Sequence, residues 1–305
     1  MQRLILPLPG NEGFATRLAA LCGGEPGSVE TRRFPDGESY VRLHGDPQGR
    51  AVDIVCTLAR PDPGFLGLVF AADAARDLGA TEVNLVAPYL AYMRQDRRFQ
   101  AGESVSSLSF ARLVSSTFDR LLTVDPHLHR HPALSALYSI PTATLHAAPL
   151  LAGWIAANVP APLIIGPDEE SEQWAGSIAA RIGAPHAVLR KIRRGDRQVD
   201  IDVPDLARWQ DRTPVLVDDI ASSGRTLVAA AEKLAGMDMK PPQCVVVHAL
   251  FADDAWAQVS ACFERVVSTD TVPHPSNRIE LAPLLADALL RGLRDCSSDL
   301  KGTPR

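Results

Sequence analysis

The segment PVLVDDIASSGRTL, residues 214–227, gives the clearest indication of the fold of this chain. Its first part, Pro214–Val217, is wholly apolar, as expected of a parallel strand that is covered on both faces. Two carboxylates follow at Asp218 and Asp219, and apolar residues recur at helical spacing from Leu227 onward. The pattern predicts a strand, a polar loop and a helix N-terminus at the carboxyl edge of a parallel sheet. The loop contains Ser222, Ser223, Gly224, Arg225 and Thr226.

An edge of this kind suits a sugar that carries a phosphate. Backbone N–H groups at the start of a helix hold phosphate, and the helix dipole favours the negative charge. The acidic pair repels phosphate, but it binds ribose hydroxyls or a Mg²⁺ ion attached to them. An ordinary strand-to-helix turn, capped by an Asp or Ser side chain, is the alternative interpretation.

The composition indicates a globular protein with about two domains. The chain has 305 residues, of which 46% are hydrophobic and 22% charged, and its net charge is −5. This charge points neither to nucleic acid nor to a membrane surface, and no apolar run approaches the ~18 residues of a membrane span. The cysteines are widely spaced and odd in number, which favours free thiols in a reducing cytoplasm. They are Cys22, Cys56, Cys244, Cys262 and Cys296.

Strand-like and helix-like segments alternate along the chain, and the alternation starts again near residue 146. This order predicts an α/β protein of two domains, 1–145 and 146–305, each with a mostly parallel, doubly wound sheet. Asn11 is the expected N-cap of the first helix, and Gly183 is the expected C-cap of a helix that begins at Glu170. The charged stretch 191–197 predicts a mobile loop.

Further polar stretches follow predicted strands, where doubly wound sheets place their ligands. Phe34 and Glu38 flank a turn and offer a ring face and an acceptor for an amine, with a surface hairpin as the alternative. The run 92–98 carries three arginines, which suit a polyphosphate, with a solvated charge run or a subunit contact as the alternative.

Two more stretches carry candidate catalytic groups. His127 lies two residues after a strand-ending Asp, and we expect it beside Mg²⁺ or a phosphate, whereas His129 and His131 are expected to be structural histidines. The basic residues around Lys191 and Arg193 would close over a polyphosphate and neutralise charge in a transition state. A merely exposed basic hairpin is the alternative for them.

Taken together, these stretches resemble the ribose-phosphate pyrophosphokinases, or PRPP synthetases, along nearly the whole chain. The turn 34–38 is similar to the FxDGE turn of that family, and the run 92–97 to its Y-x-R-Q-D-R/K run. Residues 125–127, 167–168 and 191–193 resemble its D-L-H, P-D and K-x-R motifs in the same order. The loop after the acidic pair also resembles that of type I phosphoribosyltransferases, which would not need the first two motifs.

The resemblance implies a phosphoribosyltransferase-like fold for both domains and transfer of the diphosphoryl group of ATP to ribose 5-phosphate, giving PRPP and AMP. It also implies Mg²⁺ as the cofactor, and a homo-oligomer, either a dimer or a hexamer. The residues implied to bind ATP are Phe34, Asp36, Glu38, Arg94, Gln95 and Arg97. Those implied at the metal are His127 and Asp168, and those implied in catalysis are Lys191 and Arg193. Those implied to bind ribose 5-phosphate are Asp218, Asp219, Ser222, Ser223, Gly224, Arg225 and Thr226.

Two places depart from the family pattern. Glu169, Glu170 and Ser171 follow Asp168 where the family usually has a Gly-Gly turn, and Arg225 stands where it usually has Gly or Ala. Two added carboxylates repel phosphate unless Mg²⁺ bridges them. These departures leave two alternatives open, namely a phosphoribosyltransferase or other ribose-phosphate enzyme, and a catalytically silent homologue that regulates a true synthetase.

Overall fold

The computed structural model describes residues 2–128, 130–194, 198–237 and 239–292. These residues form two compact units, and each is built on a six-stranded sheet with helices packed against it. All strand pairs within the two sheets are parallel. The predicted fold class, two α/β domains with parallel sheets, is therefore confirmed.

The first unit holds the chain up to Leu145, and its sheet has the order β2-β1-β5-β6-β7-β8. The strands β3 and β4 stand apart from this sheet as an antiparallel hairpin. The strands are β1 (Arg3–Pro7), β2 (Glu25–Pro26), β3 (Ser28–Arg33), β4 (Ser39–His44), β5 (Ala51–Val55), β6 (Glu82–Ala87), β7 (Arg120–Val124) and β8 (Thr142–Leu145). The helices are α1 (Glu12–Cys22), α2 (Phe65–Asp77) and α3 (Ser106–Thr117).

The second unit, His146–Glu280, has a sheet of order β10-β9-β13-β14-β15-β16 and a separate antiparallel hairpin, β11–β12. Its strands are β9 (Pro162–Gly166), β10 (His186–Val188), β11 (Arg190–Arg194), β12 (Gln198–Asp202), β13 (Thr213–Ala221), β14 (Gln243–Ala249), β15 (Arg265–Thr269) and β16 (Asn277–Ile279). Its helices are α4 (Ala148–Asn158), α5 (Glu172–Ile182), α6 (Arg225–Ala235) and α7 (Ala255–Cys262).

The last described helix, α8 (Ala282–Leu290), groups with the first unit, whereas the domain prediction placed it in the range 146–305. The reason lies in a buried ion pair. Arg3 contacts both carboxylate oxygens of Asp53, at 2.7 and 3.0 Å, and also donates a hydrogen bond to the backbone oxygen of Leu289. Asp53 is fully buried, so this arginine ties the end of α8 to the first sheet.

The central strand β13 is longer than predicted. Apolar residues mark only Pro214–Val217, but the strand extends to Ala221 because its backbone pairs with β14 as far as Ala249. The acidic pair therefore lies within the strand, not in the loop after it. The helical spacing predicted after the loop is confirmed, since Leu227, Ala230, Ala231 and Leu234 of α6 are all buried.

The predicted helix caps have different outcomes. Gly183 does end α5, with a left-handed φ of 63°. Asn11 does not cap α1, because its side-chain oxygen accepts a hydrogen bond from the Thr57 N–H at 2.9 Å instead. Residues 190–194 and 198–202 pair as antiparallel strands, as the alternative interpretation of a basic hairpin expects. Residues 195–197 lie outside the described residues, and the mobility of the stretch 191–197 stays a prediction.

The state of the cysteines and the length and polarity of the helices relate to the predictions of free thiols and of no membrane span. The cysteines that the structure describes, Cys22, Cys56, Cys244 and Cys262, are all free thiols. Among the described residues, every helix is too short or too polar to traverse a bilayer.

Candidate active site

The loop between β13 and α6 has the geometry of an anion site at the carboxyl edge of the second sheet. Gly224 adopts a φ of 69°, and a Cβ atom there would lie 2.6 Å from Cγ2 of Val259. Only glycine avoids both the backbone strain and this clash. The helix begins at Arg225, so the first N–H groups of α6 have no partner within the helix and are available to a phosphate.

The far side of this loop is fixed by backbone hydrogen bonds. The N–H of Ala252 donates to the Ser222 oxygen at 3.1 Å, and the N–H of Phe251 donates to the Ala221 oxygen at 2.9 Å. Ser222 and Thr226 are half-buried, whereas Ser223 and Arg225 are exposed. Arg225 is the first residue of α6, and its side chain is exposed.

Next to the loop, the acidic pair is electrostatically strained. Burial, followed by the carboxylates of Asp219 and Asp168, raises the pKa of Asp218 well above its ordinary value. The N–H of Asp219 donates to Oδ1 of Asp218 at 3.0 Å and offsets part of this effect. Carboxylates that disfavour one another's ionisation in this way are suited to a cation.

Asp168 is held in a capping box at the end of β9. Its Oδ1 accepts from the Ser171 N–H at 3.2 Å, and the Ser171 hydroxyl lies 3.3 Å from the Asp168 N–H. The short 3₁₀ turn Glu169–Ser171 that this box opens replaces the family's Gly-Gly turn. Glu169 and Glu170 are exposed, and Glu169 lies 3.7 Å from the guanidinium of Arg190 at the base of the β11–β12 hairpin.

Lys191 and Arg193, the predicted catalytic residues, lie in β11 opposite Ile201 and Val199. Their side chains lie outside the part of the chain that the structure describes. His129 is also outside the described residues. His131, expected to be a satisfied structural histidine, has a buried Nε2 without a hydrogen-bond partner among the described residues.

In the first unit, the turn 34–38 closes the β3–β4 hairpin. The N–H of Phe34 donates to the Glu38 oxygen at 2.8 Å, and Gly37 has a left-handed φ of 93°. The Asp36 carboxylate accepts from the Glu38 N–H at 3.2 Å, so Asp36 shapes the turn. Phe34 is 40% exposed, which leaves ring surface for a ligand.

Sequence reasoning missed Arg32 at this turn. Its guanidinium lies 4.7 Å from the centre of the Phe34 ring and 4.0 Å from that of Tyr40. Arg32 and Tyr40 are opposite each other in the hairpin register, which is the signal that would have brought them together. A cation stacked on both rings orients Phe34 and adds positive charge beside it.

The run 92–97 is anchored at three points. Tyr92 adopts a left-handed φ of 62° and its hydroxyl donates to Asp62, a strained conformation of the kind found at functional sites. Gln95 accepts from the Ser106 hydroxyl at 3.0 Å, at the start of α3. The buried Asp96, which sequence reasoning did not single out, makes two contacts of 2.9 and 3.0 Å with Arg130.

These anchors leave Arg94 and Arg97 exposed, with Arg97 4.9 Å from the ring centre of Phe99. His127 lies just beyond β7, half-buried and in contact with neighbouring groups. The structure therefore gathers the predicted ATP residues and His127 in the first unit. Asp168 and the ribose-phosphate residues lie in the second.

Among the described residues, no group of three or more His, Cys, Asp and Glu side chains is arranged to hold a metal ion. This does not conflict with Mg²⁺, which protein sites usually hold through one or two carboxylates together with substrate phosphates and water. Burial raises the pKa of Asp218, and the nearby carboxylates of Asp219 and Asp168 raise it further; a group of neighbouring carboxylates is suited to a cation.

The fold and the β13–α6 loop identify this chain as an α/β protein of the phosphoribosyltransferase type. Residues 4–117 match the model for the N-terminal domain of ribose phosphate pyrophosphokinase, and residues 134–275 match the phosphoribosyl transferase domain. This chain superposes on a crystal structure of phosphoribosylpyrophosphate synthetase from Mycobacterium smegmatis with a TM-score of 0.83. The match covers 96% of this chain and 99% of that one at 22% sequence identity, which shows a shared fold.

Curated relatives match over nearly their full length. The ribose-phosphate pyrophosphokinase of Methanopyrus kandleri is 36% identical over 291 residues, covering 93% of this chain and 98% of the relative. That of Methanothermobacter thermautotrophicus is 33% identical, covering 94% and 99%. The chain belongs to the ribose-phosphate pyrophosphokinase family, and it is an enzyme of the transferase class.

Proposed function

We propose that this chain transfers the β,γ-diphosphoryl group of ATP to the 1-hydroxyl of ribose 5-phosphate and releases PRPP and AMP. The observation that carries the proposal is the end of β13, where two carboxylates precede a short polar loop and the N-terminus of α6. The match of residues 4–117 to a pyrophosphokinase N-terminal domain distinguishes this chain from a simple phosphoribosyltransferase.

On the ribose 5-phosphate side, the 5-phosphate would accept hydrogen bonds from the first N–H groups of α6 and from hydroxyls of the loop. Ser222, Ser223 and Thr226 supply those hydroxyls, Gly224 permits the close approach, and Arg225 adds a charged contact. Asp218 and Asp219 would bind the ribose hydroxyls. These contacts fix the 1-hydroxyl, which is the nucleophile.

On the ATP side, the first unit offers a ring face and cations. Phe34 would stack on adenine, Glu38 would accept from its amine, and Asp36 would hold the turn that presents them. Arg94 and Arg97 would bind phosphate oxygens. Gln95, anchored by Ser106, would position the same chain segment. Residues 1–145 are thus the proposed ATP domain and the second unit the ribose 5-phosphate domain.

Mg²⁺ is the proposed cofactor, and when bound it would neutralise charge on the transferred phosphates. His127 and Asp168 would orient the metal-bound nucleotide, and Asp218 with Asp219 would hold a cation near the ribose. Asp168 is suited to this, because the capping box fixes its carboxylate.

The reaction itself needs alignment and charge stabilisation. The 1-hydroxyl attacks the β-phosphorus, the bond between that phosphorus and the α,β-bridging oxygen breaks, and AMP leaves while the hydroxyl proton is lost. Lys191 and Arg193 would stabilise the charge that develops on the diphosphoryl group. We place the enzyme in the cytoplasm, which agrees with the free thiols of the described cysteines.

The decisive experiment measures AMP release from ATP with and without ribose 5-phosphate. The proposal predicts AMP release that depends on ribose 5-phosphate, with PRPP formed in equal amount. If AMP is never released but ribose 5-phosphate binds, the chain is a different ribose-phosphate enzyme. If AMP is never released yet the chain changes the activity of an active synthetase, it is the silent regulator.

A further inference from the structure

A second pocket lies in the second unit, between α4 and the strands β15 and β16. Its volume is about 270 Å³, at the lower end of the range of ligand pockets. The lining combines one large aromatic ring with two cations and an amide. The lining residues are Trp154, Asn158, Arg265, Val266, Val267 and Arg278.

This pocket is remote from the substrate loop. Arg265 is the first residue of β15 and pairs with Gln243, the first residue of β14. The substrate loop instead follows Ala221, which pairs with the last residue of β14, Ala249. Because the strands are parallel, Arg265 marks the amino edge of the sheet and the substrate loop marks its carboxyl edge.

The two arginines leave the pocket with uncompensated positive charge. In the part of the chain that the structure describes, neither Arg265 nor Arg278 forms an ion pair. Arg278 donates hydrogen bonds to the backbone oxygens of Pro275 and Asn277, which orient its guanidinium without neutralising it. Two guanidinium groups at one pocket match a doubly charged oxyanion better than a singly charged carboxylate.

The aromatic ring indicates what the anion is attached to. Trp154 is half-buried, and the guanidinium of Arg265 lies 5.8 Å from its ring centre. A planar ring entering the pocket would find the indole as a stacking surface beside the two cations. The small volume admits a phosphate on a sugar or a mononucleotide, but not a dinucleotide.

We propose that this pocket is a second ligand site, which binds a small phosphate monoester with its phosphate at Arg265 and Arg278. The site is independent of the proposed diphosphoryl transfer. Phosphorylated sugars and mononucleotides share this chemistry, and the tryptophan favours a mononucleotide.

The test uses the full-length protein and three probes: inorganic phosphate, ribose 5-phosphate and AMP. Trp154 is one of four tryptophans, so its own signal is the difference in fluorescence between the wild type and Trp154→Phe. We expect AMP to change this difference signal, and Arg265→Ala or Arg278→Ala to weaken the change about tenfold in apparent affinity. Calorimetry, compared between the wild type and both arginine variants, detects the probes that lack a ring.

A matched control comes from a second arginine–tryptophan pair in the same unit. The guanidinium of Arg208 lies 4.0 Å from the ring centre of Trp209, outside this pocket. Arg208→Ala should leave AMP binding at Trp154 unchanged. Equal weakening by Arg208→Ala, no signal from Trp154 with any probe, or an equal response to adenosine, which lacks phosphate, would overturn the proposal. A response to ribose 5-phosphate stronger than that to AMP would identify a sugar phosphate as the ligand.

Discussion

Gly224 shows how one residue permits an anion site. Its φ of 69° is costly for any other residue, and the methyl group of Val259 occupies the space that a side chain would need. The sequence of the loop predicts a turn between strand and helix, and a turn by itself explains a glycine at this position. The contact with Val259, which belongs to a helix 35 positions further along the chain, could not be inferred without the fold.

We expect Gly224→Ala to destabilise the protein by roughly 1–3 kcal/mol and to weaken ribose 5-phosphate binding, because both the backbone angle and the clash oppose it. Urea unfolding and calorimetry measure the two effects. Gly153→Ala is the control, since it lies within α4 with nothing within 4 Å of the added methyl group. That variant should be neutral or slightly more stable. Equal stability of the two variants would show that the loop tolerates a side chain.

The carboxylate of Asp218, which we propose binds a cation, lowers the free energy of unfolding when it is ionised. Its pKa in the folded protein is raised above the ordinary value of 3.8, so between the two values the folded state binds more protons than the unfolded state. The free energy of unfolding therefore falls as pH rises through this window. Replacing the carboxylate with an amide removes that penalty.

At pH 7 without Mg²⁺, we expect Asp218→Asn to be more stable than the wild type by about 1 kcal/mol or more, since a tenfold change in proton affinity is worth about 1.4 kcal/mol. The advantage should disappear below about pH 4, where the Asp218 carboxyl group becomes neutral in the unfolded state as well as in the folded state. Thermal unfolding as a function of pH measures it, and PRPP formation should be lost. A variant less stable at neutral pH would contradict the electrostatic argument.

A substitution of Phe34 tests the proposed ATP site through a single residue. Phe34→Ala should weaken ATP binding by roughly 1–3 kcal/mol, if stacking on adenine resembles the stacking of bases on aromatic side chains. Binding of ribose 5-phosphate should be unchanged. Leu21→Ala is the control, because Leu21 is 48% exposed and lies on α1 of the same unit, away from this turn. Calorimetry that gives equal ATP affinity for the two variants would remove Phe34 from the site.

Among the secondary structure elements, the apolar pattern predicted the position of β13 but not its length. Pro214–Val217 is recognisable because both faces are buried, whereas Asp218–Ala221 pair through backbone groups that leave no mark in the side chains. The same limit explains Asp96, whose partner Arg130 is 34 residues away. Patterns within a few residues are easier to read from the sequence. Asp168 and Ser171 have the spacing of a capping box, and the structure contains that capping box.

The 3₁₀ turn Glu169–Ser171 stands where the resemblance to the family leads us to expect a Gly-Gly turn. Its two exposed glutamates directly follow Asp168, which the proposal places at the metal-bound nucleotide, so diphosphoryl transfer should depend steeply on free Mg²⁺ beyond the amount bound to ATP. Replacing Glu169 and Glu170 with glycine should relax that dependence without abolishing turnover. The measurement is PRPP formation against free Mg²⁺ at fixed Mg²⁺–ATP.

The control for this experiment removes the neighbouring cation instead. Glu169 lies 3.7 Å from Arg190, but both side chains are 72% exposed, so the pair contributes little to stability. Arg190→Ala should keep the steep Mg²⁺ dependence. If it relaxes the dependence as much as the double glycine variant does, the effect comes from the hairpin and not from carboxylate repulsion.

At the scale of the whole molecule, the first unit carries an apolar surface that its own fold leaves uncovered. Leu66 and Phe70 on α2 and Leu113 on α3 are 59%, 40% and 51% exposed. Beside them lies a pocket of about 360 Å³. It is lined by Asp62, Phe65, Leu66, Tyr92, Ser106, Ser109, Phe110 and Leu113. Neighbouring exposed apolar side chains of this kind are typical of surfaces that another protein covers.

We expect a second copy of this chain to cover the surface. Helix α2 carries Asp73 and Asp77 on its exposed positions, whereas the only charged residue of α3 is Arg112. A two-fold axis that sets α2 of one copy against α3 of the other would bring opposite charges together around the apolar residues.

The double variant Leu66→Ser, Leu113→Ser should therefore shift a homo-oligomer towards smaller species, by about tenfold or more in dissociation constant, because two exposed leucines lose their apolar burial at the interface. Sedimentation equilibrium measures this directly. The control is Leu21→Ser, which removes a leucine of similar exposure, 48%, from α1. A monomeric wild type would exclude the interface. An unchanged double variant would place the contact elsewhere on the chain, and a loss of PRPP formation in parallel with dissociation would show that activity needs the assembly.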